Sequence, residues 1–290
     1  MRIAVLGMGH MGRSVAGRLL DTGHQVVVWN RTPGRAGELV GRGATEAATP
    51  GEAVTGADAV ATSLATDDAV RDVLTGSGAV LAGLGPAAVA VDMSTVAPDT
   101  SRALDRAAPG GRFVAAPIVG APQLVAQGDA TWLVAGRRAA VDRMAPLWQD
   151  LGRHRWCGED PGAAAELKLL NNYLLLAGLA MVGEVIASAE AVHLDPQVLR
   201  EYLTTSPLVA PGLGNRIDNL LADDHEGWFS TELGAKDVGL MRRMATAAGV
   251  TPAMAGLVEE LYQRAAGTGW GDADVAAIVE VARGRAAPGG

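Results

Sequence analysis

The sequence predicts an α/β fold in two parts: an N-terminal doubly wound sheet and an all-helical C-terminal domain. Over residues 1–160, short β-branched runs such as "RIAVLGM" and "QVVVWN" alternate with helical stretches, which is typical of a parallel sheet with helices on both faces. After "DPG" at 160–162 this strand pattern stops, and the later segments have helical periodicity. Because 290 residues are enough for two hydrophobic cores, we expect domains over 1–160 and 161–290, with a long helix joining them.

Charge and composition exclude several kinds of partner. The formal charge of -8 argues against nucleic acid, because such binding needs clustered Lys and Arg. Cys157 is the single cysteine, so no intrachain disulfide can form, which fits a reducing compartment. "MRIAVLGMGHMG" lacks the features of a signal peptide, and the most apolar segment, 173–183, is shorter than the roughly 20 residues of a membrane span. We therefore expect a cytoplasmic protein with a small-molecule substrate and no membrane.

A glycine-rich motif follows the first predicted strand. "VLGMGHMG" places Gly7, Gly9 and Gly12 as G-x-G-x-x-G immediately before a helix. Gly7 permits the tight turn, Gly9 lets the backbone approach a pyrophosphate, and Gly12 allows close packing of the helix on the sheet. Free N–H groups at the helix N-terminus then face the anion. These features predict a Rossmann-type dinucleotide site, with contacts from Gly7, Gly9, His10 and Met11.

The end of the second strand bears on the choice of dinucleotide. NAD-preferring domains carry Asp or Glu near this point, whereas "QVVVWN" ends in Asn30, followed by Arg31 and Thr32. A guanidinium and a hydroxyl suit a 2′-phosphate, which a carboxylate would repel, so the sequence favours NADP(H) over NAD. Arg35 is either a second contact or a solvated helix charge. Leu64, in the strand region "DAVATSLA", is assigned to the same cofactor site.

Two further motifs carry candidate polar contacts. "DMSTVAP" places Ser94 and Thr95 at a strand end, where open α/β sheets bind ligands. They could bond a substrate or a nicotinamide respectively, although such a pair before a helix is also typical of an N-cap. "TELGAKDVGLM" carries Lys236 and Asp237 in a helical context, where a lone Lys-Asp pair is usually solvated surface.

One lysine and two asparagines interrupt the Ala and Leu of "GAAAELKLLNNYLLLAGLAMVG" at 162–183. Burying an ammonium without a partner is costly, so a purely structural helix would be expected to avoid it. At about 100° per residue, Lys168 and Asn172 share one helix face, with Asn171 beside them. Near a nicotinamide, this ammonium could protonate the oxygen that forms as hydride reaches a carbonyl carbon. The alternative is a lysine that extends to the surface.

Together these motifs resemble the β-hydroxyacid dehydrogenases, which include 3-hydroxyisobutyrate dehydrogenases and glyoxylate or succinic semialdehyde reductases. The resemblance spans nearly the whole chain and rests on "GMGHMG", "VWNRT", "DMSTVAP", the spacing of Gly162, Lys168, Asn171 and Asn172, and "AKD" at 235–237. It implies that Lys168 is the catalytic acid/base and that Asn172 supports it. It also implies that Ser94 and Thr95 line the substrate and nicotinamide site and that Lys236 closes over the cofactor.

The chain departs from this family at one position. The family pattern "D-A-P-V-S-G-G" grips a substrate carboxylate, whereas this chain has "AAPIVGA" at 115–121, with Val119 in place of the serine. A valine offers no hydrogen bond to a carboxylate, which argues against a simple hydroxyacid substrate. The predicted substrate contacts are Ser94, Val119, Gly120 and Asn171.

The related imine reductases are also similar to this chain, in "VWNRTPGRA", "DDAVRDVL" and "EDPGAAAEL", and they too have an apolar residue in place of the serine. They usually carry Asp or Tyr at the position of Lys168, and a cationic lysine would repel a protonated iminium. The sequence therefore predicts an NADPH-dependent carbonyl reductase, with an imine reductase as the alternative. We expect no metal, because the five histidines lack ligand spacing. The long apolar helix over 166–190 predicts a homodimer.

Overall fold

The computed structural model describes residues 1–77 and 79–288. The chain divides into two compact units, Met1–Lys168 and a second that begins at Leu169. The division falls inside a long helix that begins at Gly162. The expected domain boundary at 160/161 lies just before that helix, and the last two residues of the expected second domain lie outside the described residues.

The first unit is built on one sheet. Its strands within the described residues are β1 (Arg2–Leu6), β2 (Gln25–Trp29), β3 (Thr45–Glu46), β4 (Ala59–Thr62), β5 (Val89–Asp92), β6 (Phe113–Ala115), β7 (Ile118–Val119), β8 (Thr131–Gly136) and β9 (Arg153–Gly158). The sheet order is β3-β2-β1-β4-β5-β6-β8-β7, and β9 also pairs with β8.

The helices of the first unit are α1 (His10–Asp21), α2 (Gly37–Gly41), α3 (Pro50–Val54), α4 (Asp67–Leu74), α5 (Pro98–Ala107), α6 (Pro122–Gln127), α7 (Arg138–Arg143) and α8 (Ala145–Leu151). α9 (Gly162–Ala191) begins in the first unit and continues into the second. The second unit adds α10 (Pro196–Thr205), α11 (Ile217–Leu221), α12 (Thr231–Ala247), α13 (Ala253–Ala265) and α14 (Ile278–Arg283), with short 3-10 and π turns between some of them.

Two hydrophobic cores lie on opposite faces of the sheet, because successive side chains of a strand alternate between its faces. On β1, Ile3 and Val5 belong to one buried cluster, and Ala4 and Leu6 belong to the other. All four side chains are fully buried. A central strand that is apolar on both faces must be covered by helices on both sides. The predicted α/β fold, a doubly wound sheet followed by a helical region, is therefore confirmed.

The sheet is mixed, which corrects the expectation of a wholly parallel one. β1 to β6 pair in parallel, but β8 runs antiparallel to both β6 and β7. β9 was missed by sequence reasoning because most of "RHRWCG" is exposed and lacks the apolar pattern of a buried strand. β3 was missed because it contains only Thr45 and Glu46.

α9 extends well beyond the apolar segment 173–183 at both ends. Among the described helices it is the one that could cross a membrane by length and composition, with 30 residues and a mean hydropathy of 1.7. The short length of the segment 173–183 therefore does not by itself exclude a membrane span. One such helix is weak evidence for a membrane span, since a helix of a soluble protein passes the same test.

Candidate active site

The glycine-rich turn after β1 has the shape of a phosphate site. Gly7 has a φ of +104°, and a Cβ there or at Gly12 would overlap a backbone carbonyl oxygen. Gly9 is extended, with φ -73° and ψ -174°, and has open space where a Cβ would lie. α1 begins at His10 without a side-chain cap, so the N–H groups of its first turn donate to no capping side chain. The open cradle and these N–H groups fit a pyrophosphate.

Asn30 connects this turn to the loop after β2. Its Oδ1 accepts a hydrogen bond from the backbone N–H of Met8 at 2.9 Å, and its Nδ2 donates to the carbonyl oxygen of Thr32 at 2.9 Å. The side chain of Asn30 therefore fixes the two loops relative to each other. Arg31, Thr32 and Arg35 lie exposed on the outer loop, where a guanidinium can approach a phosphate without first losing a buried partner.

Glu46 is a residue of this region that sequence reasoning missed. It lies at the end of β3, beside β2, and its Oε1 accepts a hydrogen bond from the backbone N–H of Gly34 at 3.0 Å. The carboxylate therefore lies against the loop that carries Arg31. Only the pairing of β3 with β2 brings it there, and the two-residue strand gave no signal in the sequence.

Ser94 belongs to a hydrogen-bonded network at the carboxyl ends of β4 and β5. Asp92 Oδ1 accepts from the hydroxyl of Thr62 at 2.7 Å and from the backbone N–H of Ser94 at 3.1 Å. The Ser94 hydroxyl in turn accepts from the backbone N–H of Leu64 at 3.0 Å. The N-cap of α5 is Ala97, which has no side-chain cap, so the alternative that Ser94 or Thr95 caps this helix is wrong.

Asp92 itself is fully buried, and burial raises the pKa of its carboxyl above the ordinary value. Its hydrogen bonds to Ser94 and Thr62 act in the opposite direction and lower the pKa. The network holds the loops after β4 and β5 side by side. Leu64 also lies beside the glycine-rich turn, because a Cβ on Gly7 would come within 2.9 Å of its side chain. Three predicted site residues, Gly7, Leu64 and Ser94, are therefore neighbours.

The region of β7 and the loop after it carries Val119, an apolar residue that the sequence predicts to contact the substrate. Val119 ends β7, is half-buried and packs against one of the two sheet cores. Gly120 has a φ of +148°, and a Cβ there would contact Ala130 and Leu124 at 3.4 and 3.5 Å. From Ala116 to Pro122 every side chain is hydrocarbon. The side chains of this loop therefore offer a ligand no hydrogen bond.

The polar residues of α9 differ in burial. Lys168 is half-buried, whereas Asn172 is 3% exposed. Asn172 donates from Nδ2 to Asp237 Oδ2 at 2.6 Å, and its Oδ1 accepts from Asn171 Nδ2 at 3.2 Å. Both ends of the Asn172 amide are therefore bonded, which fixes its orientation one helical turn from Lys168.

Asp237 corrects the interpretation of the "AKD" motif as a solvated surface pair. It is 2% exposed, its Oδ2 accepts from the Asn172 amide, and its Oδ1 forms an ion pair with Lys236, whose Nζ lies 3.0 Å away. The second unit thereby brings Asn172 and Lys236 to one buried carboxylate, and Asn171 bonds to Asn172. A contact between positions 65 residues apart leaves no local signal in the sequence.

Two family models match the chain. Residues 2–158 match the NAD binding domain of 6-phosphogluconate dehydrogenase. Residues 162–282 match the model described as NAD-binding of NADP-dependent 3-hydroxyisobutyrate dehydrogenase. Together they define the class of NAD(P)-binding oxidoreductases. Within that class, the chain belongs to the β-hydroxyacid dehydrogenase family, of the 3-hydroxyisobutyrate dehydrogenase type.

The curated relatives differ in how much of their own length this chain covers. Human N-PAC, named a cytokine-like nuclear factor, is 30% identical over 279 residues, which are 96% of this chain and 50% of N-PAC. The chain thus spans about half the length of this group of relatives. 3-Sulfolactaldehyde reductase of Escherichia coli strain K12 is 31% identical over 287 residues, covering 97% of this chain and 95% of the reductase.

Solved structures give the same picture. Mycobacterium tuberculosis 3-hydroxyisobutyrate dehydrogenase with L-serine has a TM-score of 0.82 at 26% identity, covering 97% of this chain and 99% of that one. Psf3 in complex with NADP+ and 2-OPP has a TM-score of 0.88 at 25% identity, covering 96% and 99%. A Streptomyces aurantiacus imine reductase has a TM-score of 0.63 at 27% identity, covering 97% and 99%. The chain is therefore similar to both branches that its sequence resembles.

Proposed function

We propose that the protein is an NADPH-dependent reductase of carbonyl compounds, with Lys168 as acid/base. The observation that carries this proposal is the fixed, buried amide of Asn172, one turn along α9 from the half-buried Lys168. The hydrogen bonds of Asn172 to Asp237 and Asn171 fix its amide on the helix face that also carries Lys168. The cofactor, when bound, supplies the hydride.

The proton chemistry follows from the residues of α9. As a carbonyl carbon receives hydride, its oxygen gains negative charge and needs one proton to become a hydroxyl. The Lys168 ammonium donates that proton and becomes a neutral amine; in the oxidative direction the amine takes the proton from the hydroxyl. Asn172, which cannot rotate without breaking its bond to Asp237, orients this group. If Lys168 instead extended to the surface, the alternative that the sequence leaves open, Asn172 would have no such role.

NADPH is preferred to NADH in this proposal because of the loop after β2. Arg31 and Thr32 are exposed there and can bond a 2′-phosphate, and Asn30 fixes the loop to the glycine-rich turn. The name of the NADP-dependent family model and the NADP+ in the Psf3 complex support the same choice.

The substrate class follows from Val119. A hydrocarbon loop at 116–122 offers no side-chain hydrogen bond to a carboxylate, so the proposed substrate has an uncharged group near the reacting carbon. Reduction of imines is a second candidate, favoured by this apolar loop and by the likeness to an imine reductase. Lys168 favours the carbonyl, since an ammonium repels a protonated iminium.

A substrate panel tests the proposal. The measurement is oxidation of NADPH, followed at the nicotinamide absorbance, with 2-oxo acids, semialdehydes, uncharged ketones and cyclic imines, and with NADH as the control cofactor. We expect turnover of aldehydes or ketones with NADPH and slower turnover of 2-oxo acids. Turnover confined to imines would contradict the carbonyl assignment, and equal use of NADH would contradict the cofactor assignment.

The proposed oligomer is a homodimer that pairs through α9. Apolar side chains recur along this helix at spacings of three, four and seven residues and are more than a third exposed: Leu167, Leu170, Leu174, Met181 and Val185. Leu174 is 76% exposed and Met181 59%, and such a stripe is typical of helices that pair. Light scattering should give twice the monomer mass, and Leu174→Glu with Met181→Glu should halve it; an unchanged monomer mass in the parent protein would contradict the dimer.

The proposed location is the cytoplasm. Support comes from the single cysteine, Cys157, which fits a reducing compartment, and from the reliance on NADPH. Fractionation of cells that express the tagged protein tests this; recovery in the membrane or secreted fraction would contradict it.

A further inference from the structure

Arg102 on α5 contacts the beginning of α9 at two points within the first unit. Its Nε lies 3.1 Å from both carboxylate oxygens of Asp160, and its Nη2 is 2.7 Å from Asp160 Oδ2. The same Nη2 donates to Glu166 Oε1 at 2.6 Å, and Nη1 donates to Asp99 at 3.1 Å. One guanidinium therefore joins Asp160, two residues before α9, to Glu166 in the second turn of this helix.

Asp160 connects this guanidinium directly to the helix backbone. Its Oδ1 accepts the backbone N–H of Gly162 at 3.0 Å, and its carbonyl oxygen accepts that of Ala163 at 3.0 Å. These are two of the N–H groups that a helix leaves without partners at its start. The ion pairs with Asp160 and then with Glu166 raise the pKa of the Arg102 guanidinium, and Arg102 lowers the pKa of Asp160.

The lack of a side chain at Gly162 leaves the space that the Arg102 guanidinium occupies. A Cβ at Gly162 would come within 2.5 to 2.7 Å of three guanidinium atoms of Arg102. Its φ lies outside the left-handed region, so backbone conformation does not require glycine here. The requirement is space for the side chain of Arg102. This accounts for a glycine at the start of the pattern that Lys168 and Asn172 complete.

The contact with Glu166 determines the direction of Lys168. Two residues on a helix at about 100° per residue are about 200° apart, so Glu166 and Lys168 project from nearly opposite faces of α9. When Arg102 holds Glu166 against α5, the opposite face carries Lys168. α5 begins at Pro98, four residues after Ser94, so the same helix follows the substrate-site loop and holds the rotation of α9.

We propose that Arg102 is a positioning residue that, through Asp160, Gly162 and Glu166, sets the rotation of α9 and thereby aims Lys168 at the substrate oxygen. The inference rests on the proposed function of Lys168. Arg102 is 32% exposed, Asp160 50% and Glu166 40% as side chains. Partly exposed ion pairs add little stability, so their loss should change catalysis more than folding.

Four variants test the proposal on the best carbonyl substrate. Arg102→Met removes the ion pairs, Gly162→Ala displaces the guanidinium sterically, and Glu166→Gln weakens one contact. Arg102→Lys keeps a cation that can bond one carboxylate at a time. We expect kcat to fall about 10- to 100-fold in Arg102→Met and Gly162→Ala, because a displacement near 1 Å costs this much, with partial recovery in Arg102→Lys. KM for NADPH should stay within about twofold, because these variants remove no contact to the cofactor.

Matched controls separate positioning from general damage. Arg138→Met removes an exposed i,i+4 ion pair with Asp142, and Gly37→Ala adds a Cβ at a helix start where no atom lies within 4 Å. Both should leave kcat unchanged. Amide hydrogen exchange at 162–168 should be faster in Arg102→Met and unchanged in Arg138→Met. This measurement follows the order of the first turns of α9 independently of activity.

Each outcome has a distinct meaning. Unchanged kcat in Arg102→Met and Gly162→Ala, together with an inactive Lys168→Ala, would overturn the positioning role and leave the proposed function intact. An active Lys168→Ala would overturn the proposed function itself. If Arg102→Met fails to fold, Glu166→Gln decides the matter, because it keeps the Asp160 contact and should still lower kcat without changing KM for NADPH.

Discussion

The side-chain amide of Asn172 on α9 donates to Asp237 on α12 at 2.6 Å, and both residues are almost completely buried. Asp237 also lies 3.0 Å from the ammonium of Lys236. One carboxylate thus holds both the residue proposed to orient Lys168 and the ammonium of Lys236. The buried amide would lose its acceptor if this carboxylate were removed.

Asp237→Ala should therefore lower kcat for carbonyl reduction by about 10- to 100-fold, since a freed amide no longer holds Lys168 in place. Asp237→Asn should be milder, because its carbonyl oxygen can still accept from Asn172. Steady-state kinetics measure both effects. Asp218→Asn, which alters an exposed pair with Arg200, serves as the control, and equal kcat in the parent and Asp237→Ala would refute the role.

Arg31 should determine the preference for NADPH. Its exposed guanidinium is proposed to bond the 2′-phosphate, so Arg31→Ala should raise KM for NADPH about 10- to 100-fold, the cost of a charge-assisted bond of roughly 1.5–3 kcal/mol. KM for NADH, which lacks this phosphate, should change little. Arg35→Ala is the comparison, because Arg35 is either a second contact or a solvated charge. Parallel losses with both cofactors would show that Arg31 acts on the loop and not on the phosphate.

Val119 should set the preference against carboxylates. Val119→Ser restores a hydroxyl at the end of β7, and a site that bonds a substrate group gains about 1–3 kcal/mol over one that cannot. The ratio of kcat/KM for a 2-oxo acid to that for an uncharged ketone should rise about 5- to 100-fold. Val125→Thr, a similar change in a fully buried helix residue, is the control for altered packing. A constant ratio would place Val119 outside the substrate site.

Asp92 should make stability depend on pH. Its pKa is raised by burial, so between the ordinary and the raised value the folded protein keeps a proton that the unfolded chain has lost. Stability contributed by this group is therefore present at low pH and falls as pH rises through that interval. In Asp92→Asn the side-chain oxygen still accepts from Thr62 and Ser94. The melting temperature of this variant should rise relative to that of the parent as pH increases, and the difference should become constant above the raised pKa.

Calorimetry from about pH 4 to about pH 8 measures this difference. Asp218→Asn is the opposite case, because Arg200 lowers the pKa of Asp218, so this variant should show no such gain. A difference between Asp92→Asn and the parent that is independent of pH would contradict the account of Asp92.

Local signals predicted much of the first unit. The spacing of Gly7, Gly9 and Gly12 carries the information for the turn after β1: Gly7 has a positive φ, and a Cβ on Gly12 would overlap Gly7 itself. The buried strands could be recognised because both faces are apolar. β9 could not, since its exposed side chains have no such pattern.

Long-range pairs could not be predicted. Asp237 meets Asn172 across 65 positions, and Arg102 meets Asp160 and Glu166 across 58 and 64. The charged members of these pairs resemble ordinary surface charges in the sequence, because burial and pairing depend on how helices pack. The role of Gly162 was likewise hidden, since the atoms that require it belong to Arg102.

The central claim is that Lys168 supplies the proton for carbonyl reduction. Its most direct test is the single-turnover rate of NADPH oxidation by Lys168→Ala on the best carbonyl of the panel, with the Kd of NADPH measured by nicotinamide fluorescence. The account predicts a fall of at least about 100-fold in the rate, as loss of a general acid requires, with Kd nearly unchanged. A rate close to that of the parent protein would contradict it.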